Sequence, residues 1–299
     1  MRILLAEPRG FCGGVTRAVQ SLEKAVEQFG VPIYVYHEIV HNTWIVEDFR
    51  RKGVVFVDAL DEVPSGSRLM FSAHGVSPEI REIAQRRSIE TIDATCPLVD
   101  KVHQSALEYA HQGYKIILIG HRGHDEVVGV VGEVPDAIWV VENEAEIDAL
   151  PLEVFPSGME EKLAYLTQTT LSTTETFQKI EHLKKRFPQI VGPPQSNICD
   201  ATQSRQDAVR QHCPNADVVI VVGSRSSSNS RRLAEQAETL GVRSFLVDRA
   251  EDIPLHNLTG SETVLITAGA SAPECLVQEC VHFLKRHFNA VLDCEPAGG

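Results

Sequence analysis

A cysteine set among glycine or small and polar residues occurs three times along the 299-residue chain: Gly10-Phe11-Cys12-Gly13, Asp93-Ala94-Thr95-Cys96-Pro97 and Ile198-Cys199-Asp200-Ala201-Thr202. A polar cluster follows each at nearly constant distance. His41-Asn42 begins 29 residues after Cys12, His124-Asp125-Glu126 begins 28 after Cys96, and Ser227-Ser228-Asn229 begins 28 after Cys199. Each third of the chain then carries a second polar turn directly after an apolar run: Ser72-Ala73-His74-Gly75, Thr167-Gln168-Thr169-Thr170 and Thr267-Ala268-Gly269-Ala270-Ser271. Self-similarity of this kind marks a chain assembled from repeated supersecondary units. The expectation is three α/β units, 1–95, 96–193 and 194–299, with boundaries near Thr95 and in the linker-like Gly-Pro-Pro-Gln-Ser stretch at 192–196. Pseudo-threefold symmetry would gather the cysteines near the axis and ring them with six polar turns.

The local patterning supports α/β units. Short β-branched runs recur at Ile33–Tyr36, Val54–Val57, Leu69–Ser72, Ile116–Ile119, Ile138–Val141, Val218–Val222 and Val264–Thr267. Between them, Thr16–Phe29, Pro78–Arg87, Thr174–Phe187 and Arg231–Leu240 place apolar residues at helical spacing. Strands that alternate with helices form parallel sheets with helical crossovers, and such sheets gather ligands beyond the carboxyl ends of their strands. The fold class read from the sequence is therefore α/β with parallel sheets.

Charge and cysteine usage narrow the chemistry. A net charge of -13 disfavours non-specific binding to nucleic acid or to an anionic membrane. The apolar runs are strand-sized, the N-terminal one is too short for a signal-peptide core, and the chain reads as cytoplasmic. In a reducing compartment the seven cysteines do not suggest a disulfide framework. No Cys-x-x-Cys occurs, so any metal site must be assembled from distant residues. Cys275 and Cys280 fall in a helical stretch, Glu274–Phe288; Cys213 precedes Pro214, and Cys294 lies in the tail. Cys12, Cys96 and Cys199 instead stand in loop-forming surroundings. Three thiolates without a fourth suit an iron–sulfur cluster better than zinc, and leave one iron able to bind a water or substrate oxygen.

The polar turns then supply candidates for an anionic ligand and for acid catalysis. His41, His74 and His124 can donate to phosphate oxygens, as can Ser227, Ser228, Asn229 and Ser271, with help from the helix start expected just before Arg231. No Walker pattern is present. Arg225 is expected to face solvent. Glu126 is the acid candidate, since a carboxyl near a cluster and an anion should hold its proton to higher pH. Thr167 could hydrogen-bond a substrate and relay a proton. Taken alone, the Gly-His-x-Gly-His-x-Glu string at 120–126 would also suit a zinc hydrolase.

Read together, Pro-Arg-Gly-Phe-Cys12-Gly-Gly-Val, His37-Glu-Ile-Val-His41-Asn, Ser72-Ala-His74-Gly-Val, Asp93-Ala-Thr-Cys96-Pro-Leu-Val and Gly-His-x-Gly-His124-x-Glu126-Val resemble the 4-hydroxy-3-methylbut-2-enyl diphosphate reductase (LytB) family. So do Thr167-Gln-Thr-Thr-Leu-Ser, Ile-Cys199-Asp-Ala-Thr202, Ser-Ser227-Ser228-Asn229-Ser and Thr-Ala-Gly-Ala-Ser271-Ala-Pro. The likeness runs from Met1 to about Leu284, and Phe288 to Gly299 carry no motif. It implies a [4Fe-4S] cluster on Cys12, Cys96 and Cys199 that binds the substrate hydroxyl at its open iron. It also implies a diphosphate gripped by His41, His74, Ser227, Ser228, Asn229 and Ser271, with His124 beside them. Glu126 would deliver protons and Thr167 would contact the substrate hydroxyl. The implied reaction is two-electron removal of the allylic hydroxyl, giving isopentenyl and dimethylallyl diphosphate, the last step of the methylerythritol phosphate (non-mevalonate) route. The implied electron donors are ferredoxin- or flavodoxin-like. A non-redox iron–sulfur hydro-lyase and a cluster-bearing sensor without turnover are the rival readings.

Overall fold

The computed structural model of the chain describes residues 1–151 and 162–293, so Cys294 lies outside the described residues. The first part of the chain runs β1 (Arg2–Leu5), α1 (Gly13–Phe29), β2 (Tyr34–Tyr36), α2 (Thr43–Arg51), β3 (Val55–Val57), β4 (Arg68–Phe71), α3 (Pro78–Arg86) and β5 (Glu90–Asp93). The middle part runs α4 (Pro97–His111), β6 (Lys115–Ile119), α5 (Asp125–Glu133), β7 (Ile138–Val141), α6 (Glu144–Asp148), β8 (Leu163–Thr167) and α7 (Thr173–Arg186). The last part runs α8 (Asp200–His212), β9 (Val218–Val222), α9 (Ser228–Thr239), β10 (Arg243–Val247), β11 (Thr263–Ala268), α10 (Glu274–Phe288) and β12 (Val291–Leu292).

These elements form two compact units. The first comprises Met1–Val15, His41–Glu47 and the chain from Asp200 onward; the second comprises Thr16–Val40 and Asp48–Cys199. The first unit holds a five-stranded sheet in the order β10-β9-β11-β1-β12. The second holds a four-stranded sheet, β3-β2-β4-β5, and a three-stranded sheet, β7-β6-β8. Every strand pairing within these sheets is parallel, as the alternating pattern requires.

The repeat is visible in the strand order itself. In each sheet the first strand of the repeat (β2, β6 or β9) is flanked on one side by the second (β3, β7 or β10) and on the other by the third (β4, β8 or β11). Beyond the third strand lies the segment that leads into the next cysteine. That segment is β5 before Cys96, a single parallel bridge from Ala164 to Val191 before Cys199, and β1 before Cys12. Sheet membership follows the segments 1–95, 96–193 and 194–299 except at β1, which pairs with β11 and β12. Strand order reverses at β2, β6 and β9, and in parallel sheets ligands gather at the carboxyl ends of strands where the order reverses.

Burial explains why these runs are strands. Val218–Val222 is buried at every position, with Val218, Ile220 and Val222 packed on one face and Val219 and Val221 on the other. An apolar run without alternation is what a parallel strand covered on both faces requires. Ile117 and Ile119 face a core with Leu163, Leu171 and Leu183, while Ile116 and Leu118 face Val102, Val127 and Leu166. α10 spans Glu274–Phe288 and buries Cys280, whereas Cys275 is exposed; Cys213 is buried in a short 3-10 turn. Burial pushes the Cys280 thiol up to about 12 and the Cys213 thiol up to about 11, which leaves both as inert apolar groups near neutral pH.

Candidate active site

Each of the three cysteines has the same kind of local seat. Cys96 is the N-cap of α4, and Cys12 and Cys199 directly precede α1 and α8. Each backbone amide donates to a carbonyl of a second polar turn: Cys12 to Ala270 at 3.1 Å, Cys96 to Ala73 at 3.0 Å and Cys199 to Thr169 at 3.1 Å. Ala73, Thr169 and Ala270 each stand two places beyond the last residue of their strands, β4, β8 and β11. The same hydrogen bond therefore recurs at matched positions of the repeat. All three thiols are partly exposed and none is in a disulfide.

In the first unit, Cys12 neighbours the turn that follows β11. The Val15 amide approaches the Cys12 Sγ at 3.4 Å, so the thiol takes the place of a capping oxygen at the start of α1. Ser271 donates its hydroxyl to the His41 carbonyl at 2.8 Å, and the Thr43 amide donates to Ser224 at 2.9 Å. Those two bonds draw the start of α2, with His41 and Asn42, onto the β9 and β11 turns. Asn42 caps α2 through its Oδ1, which accepts from the Ile45 amide at 3.0 Å. Ser227 caps α9, its hydroxyl accepting from the Ser230 amide, and Ser228 and Asn229 form the first helical positions. The helix start expected before Arg231 is thus found, and Arg225 is exposed. Asn229 is buried, and neither its amide nitrogen nor its oxygen has a hydrogen-bond partner within the protein. A buried amide in that state costs about 1–3 kcal/mol per unmade bond, which a polar ligand would recover.

In the second unit, Cys96 and Cys199 stand beside the turns that carry His74, His124, Glu126 and Thr167. The Asp93 carboxylate fixes the approach to Cys96, accepting from the Thr95 amide at 2.9 Å and from Arg81 at 2.6 Å. Burial acts to raise the Asp93 pKa, but these bonds outweigh it and hold the group below its ordinary value. His124 is the N-cap of α5, and its Nδ1 accepts from the Glu126 amide at 3.2 Å. The neutral ring consequently carries its proton on Nε2 and is a donor there. His74 packs edge-to-face on His124 with ring centroids 5.9 Å apart, and its Nδ1 lies 3.2 Å from the Ser72 hydroxyl. Glu126 is 2% exposed, and its two carboxylate oxygens accept from the Thr169 amide at 2.7 Å and the Thr169 hydroxyl at 2.8 Å. The Thr167 amide donates to Asn197 Oδ1 at 3.2 Å, while the Thr167 hydroxyl is buried without a partner within the protein.

Three functional candidates escaped the sequence reading. Thr169, two residues past Thr167 in the same Thr-Gln-Thr-Thr turn, is the threonine that holds Glu126. His37 and Asp125 form an ion pair at 3.2 Å, and the other Asp125 oxygen lies 3.7 Å from His74 Nδ1. A period-two reading of β8 would have placed Thr167 and Thr169 on one face; nothing in the sequence pairs His37 with Asp125.

Three parallel sheets of one repeated strand order, with cysteines and polar side chains on the loops beyond their strands, define the class: an α/β protein of parallel sheets with helical crossovers. The profile described as LytB protein matches residues 3–285, and the chain belongs to that family. A 4-hydroxy-3-methylbut-2-enyl diphosphate reductase of Rhodopirellula baltica is 54% identical over 295 residues, covering 99% of this chain and 91% of that protein. The solved E-1-hydroxy-2-methyl-but-2-enyl-4-diphosphate reductase from Plasmodium falciparum superposes with a TM-score of 0.94 at 40% identity, covering 100% of this chain and 93% of its own. A second solved (E)-4-hydroxy-3-methyl-but-2-enyl diphosphate reductase, described as the terminal enzyme of the non-mevalonate pathway, gives 0.66 at 28% identity, covering 96% and 100%. Among the described residues no helix is long and apolar enough to cross a membrane.

Proposed function

We propose that this chain reductively removes the allylic hydroxyl of 4-hydroxy-3-methylbut-2-enyl diphosphate, giving isopentenyl and dimethylallyl diphosphate as the last step of the non-mevalonate route. The observation that carries the reading is the thrice-repeated bond that seats each part-exposed cysteine on a polar turn. Family membership over nearly the whole chain supports it.

Cys12, Cys96 and Cys199 are the residues that would hold a [4Fe-4S] cluster. Their seats fit one: the thiols are soft, partly exposed and outside disulfides, and helix starts favour thiolates. A cluster with three protein ligands supplies electrons and one open, Lewis-acidic coordination position. The remaining work falls to the chain's own groups. His41, His74, His124, Ser227, Ser228, Asn229 and Ser271 would grip the diphosphate, the start of α9 adding its amides. The unmade bonds of Asn229 and of the Thr167 hydroxyl are the polar vacancies such a ligand would satisfy. Binding the diphosphate, remote from the reacting carbon, positions the allylic alcohol for cleavage. Two protons and two electrons are consumed for each C–O bond broken: one proton leaves with the hydroxyl oxygen as water, and the other ends on an allylic carbon. Glu126, held at both oxygens by Thr169, would pass protons inward. Thr167 would contact the substrate hydroxyl. A ferredoxin- or flavodoxin-type protein would deliver the electrons, and the reaction would run in the cytoplasm, on three α/β units bounded near residues 95 and 193.

The test is electron demand. Holoenzyme prepared without oxygen should convert the diphosphate alcohol only when a low-potential reductant such as dithionite is supplied. Conversion without any reductant would favour the hydro-lyase alternative and end the reductase reading.

A further inference from the structure

Directly after β2, His37 holds a left-handed backbone (φ 58), its amide donating to the Val57 carbonyl at 2.8 Å. Residues with a Cβ rarely adopt that conformation, and when they do the surroundings impose it, often at functional sites. The His37 side chain makes an ionic contact. His37 Nδ1 lies 3.2 Å from Asp125 Oδ1, and the His37 ring stands edge-on to Tyr36 at 4.1 Å. The other oxygen of Asp125 faces His74 Nδ1 at 3.7 Å, an ion-pair distance. Asp125 is the first residue of α5, between His124 and Glu126. If His74 grips a diphosphate, the carboxylate beside it is a puzzle, because a bare negative charge there would repel the ligand.

We propose that His37 is the counter-ion that makes Asp125 compatible with an anion site: the pair holds His74 by its Nδ1 edge, and the positive charge of His37 cancels the carboxylate that would otherwise repel the diphosphate. The inference rests on the reading of His74 as a phosphate-gripping residue. His37 is suited to carry the charge. Its pKa is raised, first by the hydrogen bond to Asp125, with Asp58 and Glu38 adding to the effect and burial opposing it. Both His37 and Asp125 are positioning residues: they act through the orientation of His74 and through the charge they set beside it, without touching the ligand.

Inorganic pyrophosphate binding to the oxygen-free holoenzyme, measured by calorimetry, tests this with four variants. His37→Asn removes the charge yet tolerates a left-handed backbone. It should weaken pyrophosphate about tenfold, the order expected of one uncompensated charge beside a partly buried anion, with no fall in melting temperature. Asp125→Asn should stay within about threefold of the parent, since an amide oxygen can still face His74 without charge. The double variant should bind more tightly than His37→Asn alone, because removing the carboxylate removes the repulsion. His37→Gly, which relieves the backbone, should be as weak as His37→Asn. Equal weakness of His37→Asn and the double variant, parent-like binding by His37→Asn, or recovery in His37→Gly would overturn the counter-ion role. His74→Asn separates the two levels: it should lose pyrophosphate affinity, and if it binds like the parent, the diphosphate reading of His74 itself is wrong.

Discussion

Among single residues, the one whose proposed role is most exacting is Glu126. A carboxylate that is 2% exposed is tolerable because Thr169 satisfies both of its oxygens. Glu126→Gln should keep the cluster spectrum and pyrophosphate affinity while kcat falls by about 100-fold or more, the usual worth of a positioned acid; an active variant removes Glu126 from that role. Thr169→Val deletes the hydroxyl bond but keeps the amide bond, and should lower kcat by about tenfold, the worth of one hydrogen bond to a charged group. Thr169→Ser should restore it. If Thr169→Val turns over normally, the hydroxyl is merely structural. Glu126 stood out as a candidate in the sequence because it sits in a histidine-rich string at the matched place of a repeat. Thr169 was not, because three threonines share one turn and only the end of β8 decides which of them meets the carboxylate. Asp125 drew no role of its own from the sequence, because its partners, His37 and His74, come from other elements.

At the scale of elements, the strands and helices that were legible are those with strong patterns. β7 and α10 span the residues expected of them, and β9 is the buried run Val218–Val222. β5 (Glu90–Asp93) and β10 (Arg243–Val247) lacked a signal because their side chains are polar or only partly buried, so neither alternation nor a continuous apolar run marks them. Turns add their own chemistry. Glu262, just before β11, closes the Thr259–Ser261 turn by accepting from the Thr259 amide at 2.6 Å, the Thr259 hydroxyl at 2.9 Å and the Gly260 amide at 2.8 Å. Burial would raise its pKa, but these bonds outweigh it and pull the group down to about 2. A carboxylate with a depressed folded pKa stabilises above its unfolded value, and that contribution is lost as pH falls through the folded one. Glu262→Gln should therefore be less stable by about 1–2 kcal/mol at pH 7, the scale of bonds to a charged acceptor. Chemical denaturation at several pH values should show the gap closing between pH 4.5 and about 2; a gap independent of pH would show that the charge is irrelevant. A second element-scale prediction concerns His103, buried in α4, whose Nδ1 lies 2.8 Å from Glu133. A Cβ at Gly129 on α5 would meet its ring at 3.1 Å. Gly129→Ala should cost about 1–3 kcal/mol by overpacking, read from the urea midpoint, and an unchanged midpoint would show that α4 and α5 can move apart.

For the whole molecule, the repeat was legible and its closure was not. Three cysteines at matched spacing announced three α/β segments, and strand order bears the same pattern in all three sheets. The sequence does not reveal that β1 pairs with β11 and β12, because strand pairing between the two ends of a chain leaves no local pattern. The consequence is that an N-terminal strand, commonly a fraying element, is interior here. Ile3 is fully buried in the same core as Val264 and Ile266. Ile3→Ala should cost about 2–5 kcal/mol in equilibrium unfolding, and a loss under 1 kcal/mol would mean that the terminal strand is dispensable. The same pairing leads the chain into Cys12, so the first cysteine is placed from the third sheet. That three such cysteines together hold an iron–sulfur cluster is the claim on which the rest depends. Iron and acid-labile sulfide analysis of protein purified without oxygen, alongside its Cys199→Ser variant, tests it most directly. The account predicts about four irons and four sulfides per chain with visible cluster absorption, sharply reduced in the variant; zinc without sulfide, or a variant with the cluster intact, would contradict it.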